Sequence, residues 1–203
     1  MFLRKVLFKP GLNPPLFTAV QKKTKALSGN DIVLMWDEIS LKKWFTYIRR
    51  FDRVVGFADY GDGQRPNKAG HALIFMIKFV YFDVKFPICY FFTTGSEKAE
   101  ELAPLVVRDV TQLQNIDLMI RGMVCDAPAK QRALFRLLGA TPEEPFVFIN
   151  GIKIYVFLDP SHGIKAIRNC LMTHIFQDGQ RQILYEHVKT FFTCQGQGVP
   201  STP

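Results

Sequence analysis

"NDIVLMWDEISLKKW", Asn30 to Trp44, is the stretch on which the fold turns. Four apolar or aromatic residues, Val33 to Trp36, lead into two carboxylates, Asp37 and Glu38, and the chain then becomes polar and basic. A short apolar run bounded in this way reads as a buried strand. Charged residues are common where a strand meets water. The stretch alone therefore leaves two readings open, a solvated strand end or an acid carried to a site.

Before it, residues 1–30 read as a basic lead-in in which "KPGLNPP" (Lys9–Pro15) breaks any regular element. After it, Leu41–Phe51 is expected as a short helix or turn, "RVVGFADYG" (Arg53–Gly61) as a strand, and Gly61–Gly70 as a polar loop. "ALIFMIKFVYF" (Ala72–Phe82) reads as a long strand and "FPICYFFTT" (Phe86–Thr94) as its hairpin neighbour. Ser96 is a candidate N-cap for a helix whose apolar positions are Leu102, Leu105, Val106, Val110 and Leu113. A strand in "IDLMIRGMVCD" (Ile116–Asp126), a helix over Ala129–Leu138 and a hairpin turned at Asn150-Gly151 follow. Two further helices are expected in "SHGIKAIRNCLMTHIF" (Ser161–Phe176) and "QRQILYEHVKTFFTCQ" (Gln180–Gln195). Antiparallel strands first and crossovers later imply an α/β fold, a mixed sheet flanked by helices.

The 203 residues suit one domain, or one domain and part of a second. With 48% hydrophobic residues and 19 Phe, the chain can build a real core, which argues against disorder except at the ends. Cys89, Cys125, Cys170 and Cys194 show neither zinc spacing nor a disulfide framework, so reduced thiols in a cytosolic or nuclear compartment are expected. The longest apolar run, Ala72 to Phe82, is interrupted by Lys78 and is too short to span a membrane as a helix. The opening "MFLRKVLFKPG" lacks the continuous apolar core of a signal peptide, so a soluble intracellular protein is expected. The net charge of +8 is concentrated in two places. Residues 1–25 carry Arg4, Lys5, Lys9, Lys22, Lys23 and Lys25 with no acid, and Lys42, Lys43, Arg49, Arg50 and Arg53 are offset only by Asp52. Such clusters attract phosphate backbones, though a solvated basic face has the same composition.

The opening pattern recurs in "GMVCDAPAKQRALFRLLGA", where Asp126 ends a strand as abruptly as Asp37 does. If the two strands are parallel neighbours, both acids emerge at one carboxyl edge, the usual active edge of such a sheet. Two carboxylates there repel unless a cation sits between them, and a hard divalent ion such as Mg²⁺ or Mn²⁺ is the natural partner. A pair of such ions can serve phosphodiester chemistry. A pair of solvated strand ends is the alternative.

The motifs "WDEISLKKWFTY", "VVGFADYG", "ALIFMIKFVYFDVKFPICYFFTTG", "VCDAPAKQRALFRLLGA" and "KIYVFLDPSHGIKAIRN" occur in that order. Together they resemble the P-element-type transposases, including those that carry a THAP DNA-binding domain, over most of residues 31–175. The resemblance implies a ribonuclease-H-like fold with an Asp-Asp-Glu metal site, in which Asp37 matches the first acid and Asp126 the second. It implies Mg²⁺ or Mn²⁺ as cofactor, DNA as partner, a homo-oligomer and a nuclear location. Glu38, one residue on, points to the other face of the strand and is expected to be structural. "DPSHGIK" (Asp159–Lys165) resembles the start of this family's guanine-nucleotide-binding insertion, with Asp159 and Lys165 matching its acid and lysine and GTP as the implied ligand. Read from the residues alone, Asp159 ends a strand and caps the next helix.

The sequence also departs from the family. No Cys/His zinc module stands before residue 31, and the asparagine expected soon after the second aspartate is absent, Gln131 being the nearest amide. The third acid of the family lies beyond Pro203, and Glu186 belongs to the insertion-like region and does not replace it. The expected organisation is a lead-in (1–30), a partial ribonuclease-H-like domain (31–160) and the start of a helical insertion domain (161–203). The expected function is that of a transposase-derived chain whose ancestral reaction is DNA cleavage and strand transfer, inactive as it stands. The alternative is a nucleic-acid-binding or interaction module without chemistry.

Overall fold

The computed structural model describes residues 9–27, 29–126 and 129–196. Of the basic lead-in, Arg4 and Lys5 lie outside the described residues. The elements up to the first crossover are β1 (Gly11–Leu12), α1 (Pro14–Leu27), β2 (Asp31–Ser40), β3 (Thr46–Ile48), β4 (Arg53–Val55), β5 (Phe57–Asp59), β6 (Gln64–Lys68), β7 (His71–Phe79) and β8 (Lys85–Thr93). Then come α2 (Ala99–Gln114), β9 (Met119–Cys125), α3 (Ala129–Leu137), β10 (Phe146–Ile149) and β11 (Ile152–Leu158). The last elements are α4 (Pro160–Thr173), β12 (Phe176–Asp178), β13 (Arg181–Ile183) and α5 (Tyr185–Gly196). The described residues up to Leu158 form one compact unit and those from Asp159 a second.

The first unit is built on a mixed sheet of order β10-β11-β9-β2-β7-β8-β5-β6, with β1 paired to β8. β9 runs parallel to both β2 and β11, and the remaining pairs are antiparallel. β2 alternates as a sheet strand must. Its Ile32, Leu34 and Trp36 are buried, whereas Val33 and Met35 are half-buried on the other face. The buried set continues across the sheet through Phe75, Ile77 and Phe79 of β7 and Met123 and Cys125 of β9. α2 lays Leu102, Leu105, Val106, Val110 and Leu113 on this cluster, α3 adds Leu134 and Phe135, and α1 adds Phe17 and Val20. Trp36 stacks on Phe75 with centroids 5.6 Å apart and meets Phe135 edge-on at 5.7 Å. The expected mixed sheet flanked by helices is therefore present.

Five local expectations are corrected. Lys9–Pro15 does not break all regular structure, because Pro14 and Pro15 stand in the first turn of α1, where proline's missing N–H costs nothing. Leu41–Phe51 is not a helix or a simple turn. It leads into a β-ribbon of β3 and β4, whose turn is a 3-10 segment, Arg49–Phe51, closed by Asp52 in the left-handed region. Arg53–Gly61 is two strands rather than one, broken at Gly56, and Gly61–Gly70 contains the exposed edge strand β6. The last expected helix is shorter at its start, because Arg181–Ile183 pairs with Phe176–Asp178 as a small hairpin. The Asn150-Gly151 turn is as expected, with φ of 52° and 75° that suit a two-residue hairpin loop.

Candidate functional site

The site begins with the pairing of β2 and β9. Their parallel register ends with Trp36 opposite Cys125. Asp37 and Asp126 are the next residue of each chain segment, so the two acids stand side by side where β9 ends, while β2 itself does not end at Asp37 as the sequence suggested but runs on to Ser40 against β7. Neighbouring strands are about 4.8 Å apart. Asp37 is exposed and its Oδ1 accepts the backbone N–H of Glu38 at 2.7 Å. Asp126 is half-buried. Burial pushes the Cys125 thiol up to about 12, and the charge of Asp126 beside it adds to the effect.

Glu38 turns the other way, toward α3, where its carboxylate receives Lys130 Nζ at 2.6 and 2.5 Å. Gln131, the amide nearest to the position where an asparagine was expected, is buried, and its Oε1 accepts the Trp36 indole N–H at 3.0 Å. Both residues thus fasten α3 to β2 beside the two aspartates. Lys130 as a partner of Glu38 was not foreseen from the sequence, since nothing in "APAKQRAL" marks which lysine reaches back across the sheet.

Two hard carboxylates at one edge fit Mg²⁺ or Mn²⁺ as part of a ligand set. Among the described residues no three His, Cys, Asp or Glu side chains gather closely enough to hold a metal ion by themselves. A further polar cluster escaped the sequence reading. Asp109 falls on the apolar stripe of α2, is fully buried, and its Oδ2 accepts the Cys89 thiol at 2.9 Å, with Arg108 Nε 3.6 Å from Oδ1. The signal was available in the spacing, because Asp109 stands where the stripe from Leu102 to Leu113 calls for an apolar residue.

In the second unit Asp159 is the N-cap of α4, its Oδ1 accepting the N–H of Ser161 at 2.9 Å, with His162 Nδ1 3.8 Å from Oδ2. Lys165 is exposed on the same helix. The cavity between α4 and α5, about 610 Å³, is lined by Ile164, Arg168, Tyr185, Val188, Lys189, Phe192 and Thr193, and by neither Asp159 nor Lys165. Among the described residues no helix is long and apolar enough to cross a membrane.

Comparison with known proteins agrees with this architecture. The fold matches a solved Drosophila P element transposase strand transfer complex with a TM-score of 0.71 at 17% identity, over 92% of this chain and 39% of that one. The chain therefore spans well under half the length of that transposase. A likeness to the Mos1 strand transfer complex, over 92% of this chain and 53% of that one, has a TM-score of only 0.29 at 13% identity and carries no argument. No curated protein sequence matches the chain. Residues 8–139, more than half of the sequence, match the family described as "TNP-like, RNase H N-terminal domain", and the chain belongs to that family.

Proposed function

We propose that this chain supplies two of the metal-binding carboxylates, Asp37 and Asp126, of a transposase site for DNA strand cleavage and transfer. The observation that carries the reading is the parallel β2–β9 register, which ends one residue before each acid. The likeness of the fold to a P element strand transfer complex supports DNA as the substrate. When bound, divalent ions at such an edge activate an attacking oxygen and stabilise the leaving one. The chain's own residues position the edge. Glu38 with Lys130, and Trp36 with Gln131, clamp α3 against β2 on the covered face, so that the backbone carrying Asp37 is held while its side chain remains exposed.

Two carboxylates are fewer than two ions need; further oxygen ligands are required, and among the described residues no third His, Cys, Asp or Glu side chain stands with the pair to supply one. Without them the barrier rises by several kcal/mol, where ~1.4 kcal/mol is already tenfold in rate. The chain on its own is therefore proposed to bind DNA and to leave it uncut. The test is purified, folded chain incubated with DNA and Mg²⁺ or Mn²⁺. No cleavage is expected. Cleavage that vanishes in Asp37→Ala and Asp126→Ala would show that the site is complete, and cleavage indifferent to both would remove the acids from the reaction.

A DNA-binding module without chemistry is the second reading, favoured by the exposed cations between Lys42 and Arg53. Cleavage that depends on both Asp37 and Asp126 would decide against it. Nothing in the placement of Asp159 and Lys165 favours GTP as a ligand of the second unit, since the carboxylate caps its own helix.

A further inference from the structure

The ribbon of β3 and β4 takes no part in the core. No side chain between Lys42 and Val55 is buried. A two-stranded ribbon without apolar cover is marginal in water, so folding alone does not account for its composition. Five cations, Lys42, Lys43, Arg49, Arg50 and Arg53, stand there against a single acid, Asp52, whose Oδ1 accepts the Tyr47 hydroxyl at 2.6 Å. Among the cations are three large aromatic rings, Trp44, Tyr47 and Phe51, exposed by 64, 55 and 57%. Lys42 Nζ lies 5.5 Å from the Trp44 ring centroid, and the guanidinium carbons of Arg50 and Arg53 lie 5.6 and 5.3 Å from that of Phe51. Charge and ring surface are thus joined in one patch.

The ribbon is rooted at the edge that carries the acids. Ser40 ends β2 three residues after Asp37, Leu41 N–H donates to the Gly70 carbonyl at 2.8 Å, and Ala69 N–H donates to the Gly56 carbonyl at 2.8 Å. Both feet of the ribbon are therefore pinned to the segment that leads into β7.

We infer that this ribbon grips DNA whose bases are unpaired, as at a frayed or splayed end beside the strand to be cut. The charge complementarity is with phosphate, which the lysines and arginines hold in any DNA. Closed duplex offers the rings little, because its base faces are already stacked on one another. Unpaired bases present those faces, and stacking on aromatic side chains is how proteins hold them irrespective of sequence. The inference rests on the DNA reading proposed above but needs no metal and no chemistry.

The experiment measures binding of the full chain, without divalent metal, to labelled DNA of three forms: blunt duplex, single strand, and duplex with one splayed end. Splayed and single-stranded DNA are expected to bind about tenfold more tightly than blunt duplex. Trp44→Ala with Phe51→Ala should abolish that preference and leave the blunt-duplex affinity in place. Arg49→Ala with Arg50→Ala and Arg53→Ala should weaken all three and flatten the dependence of affinity on salt. Equal affinity for the three forms, or a preference untouched by loss of the rings, would overturn the inference. Asp37→Asn separates it from the catalytic reading, since the preference is expected to persist in that variant whatever becomes of cleavage.

Discussion

The indole Nε1 of Trp36 donates to Oε1 of Gln131 across 3.0 Å, inside the core and one residue before Asp37. The amide is thereby committed to joining α3 to β2. Gln131→Met keeps the volume and removes the acceptor, leaving a buried N–H without a partner, which costs about 1–3 kcal/mol. The urea midpoint is expected to fall with an unchanged slope. An unmoved midpoint would show that the bond contributes nothing to the fold.

The two aspartates and Glu38 should separate cleanly in a metal titration. Asp37→Asn and Asp126→Asn are each expected to weaken Mn²⁺ binding by about tenfold or more, read from the spin-resonance signal of the free ion. Glu38→Gln should leave it unchanged, because that carboxylate closes on Lys130 at 2.5 Å on the opposite face. An equal loss in Glu38→Gln would place the ion elsewhere.

Asp109 gives the fold a pH dependence of its own. Burial pushes its carboxyl up to about 6, against the lowering effects of the Cys89 thiol and the Arg108 guanidinium. The folded chain therefore holds this proton to higher pH than the unfolded chain does. For this group stability is highest below about pH 4, falls as pH rises to about 6, and is level above that. The two-unit difference corresponds to roughly 3 kcal/mol. Asp109→Asn removes the slope, so urea midpoints of variant and wild type at pH 4.5 and 7 should differ most at pH 7, in favour of the variant.

Gly56 is the hinge point of the ribbon. Its φ of 108° is one that side chains rarely adopt, and an added Cβ would lie 2.1 Å from the Trp44 carbonyl oxygen. Gly56→Ala is expected to cost roughly 1–3 kcal/mol of local strain and to loosen the ribbon's attachment. Limited trypsin digestion should then cut at Arg49, Arg50 and Arg53 several-fold faster than in wild type. Unchanged digestion would mean that the ribbon's anchorage does not depend on this backbone geometry.

The parts of the fold that were legible in the sequence are those that bury a face. β2, β7, β8 and β9 announce themselves through apolar runs, and α2 through the spacing of Leu102 to Leu113. The register that sets Asp37 beside Asp126 was foreseen only as a condition, because pairing is decided by the whole sheet and not by either strand. The β3–β4 ribbon and β6 were missed because no residue of Gln64–Lys68 or of the ribbon is buried, so neither carries an alternating pattern to read. α1 was hidden by Pro14 and Pro15, although Leu16, Phe17 and Val20 already had helical spacing. The site was half legible in the same sense. An aspartate that follows an apolar run is visible in a sequence, whereas the continuation of β2 past Asp37 and the Lys130 and Gln131 contacts beside it depend on where β7 and α3 land.

The β2–β9 pair contains one residue more on β9 than on β2, since Ile32 is opposite Ile120 and Val33 is opposite Gly122, with Arg121 between them. This gives the chain an uneven tolerance to changes in its length. Deleting Arg121 would straighten the pair and forfeit the ion pair with Asp31, yet the acids would still emerge together. Deleting a residue between Gly122 and Cys125 would rotate everything after it by one strand position, sending the thiol outward and Asp126 toward the helix-covered face. In-frame losses of a single codon should therefore survive selection at the first place and be purged at the second, a few nucleotides away.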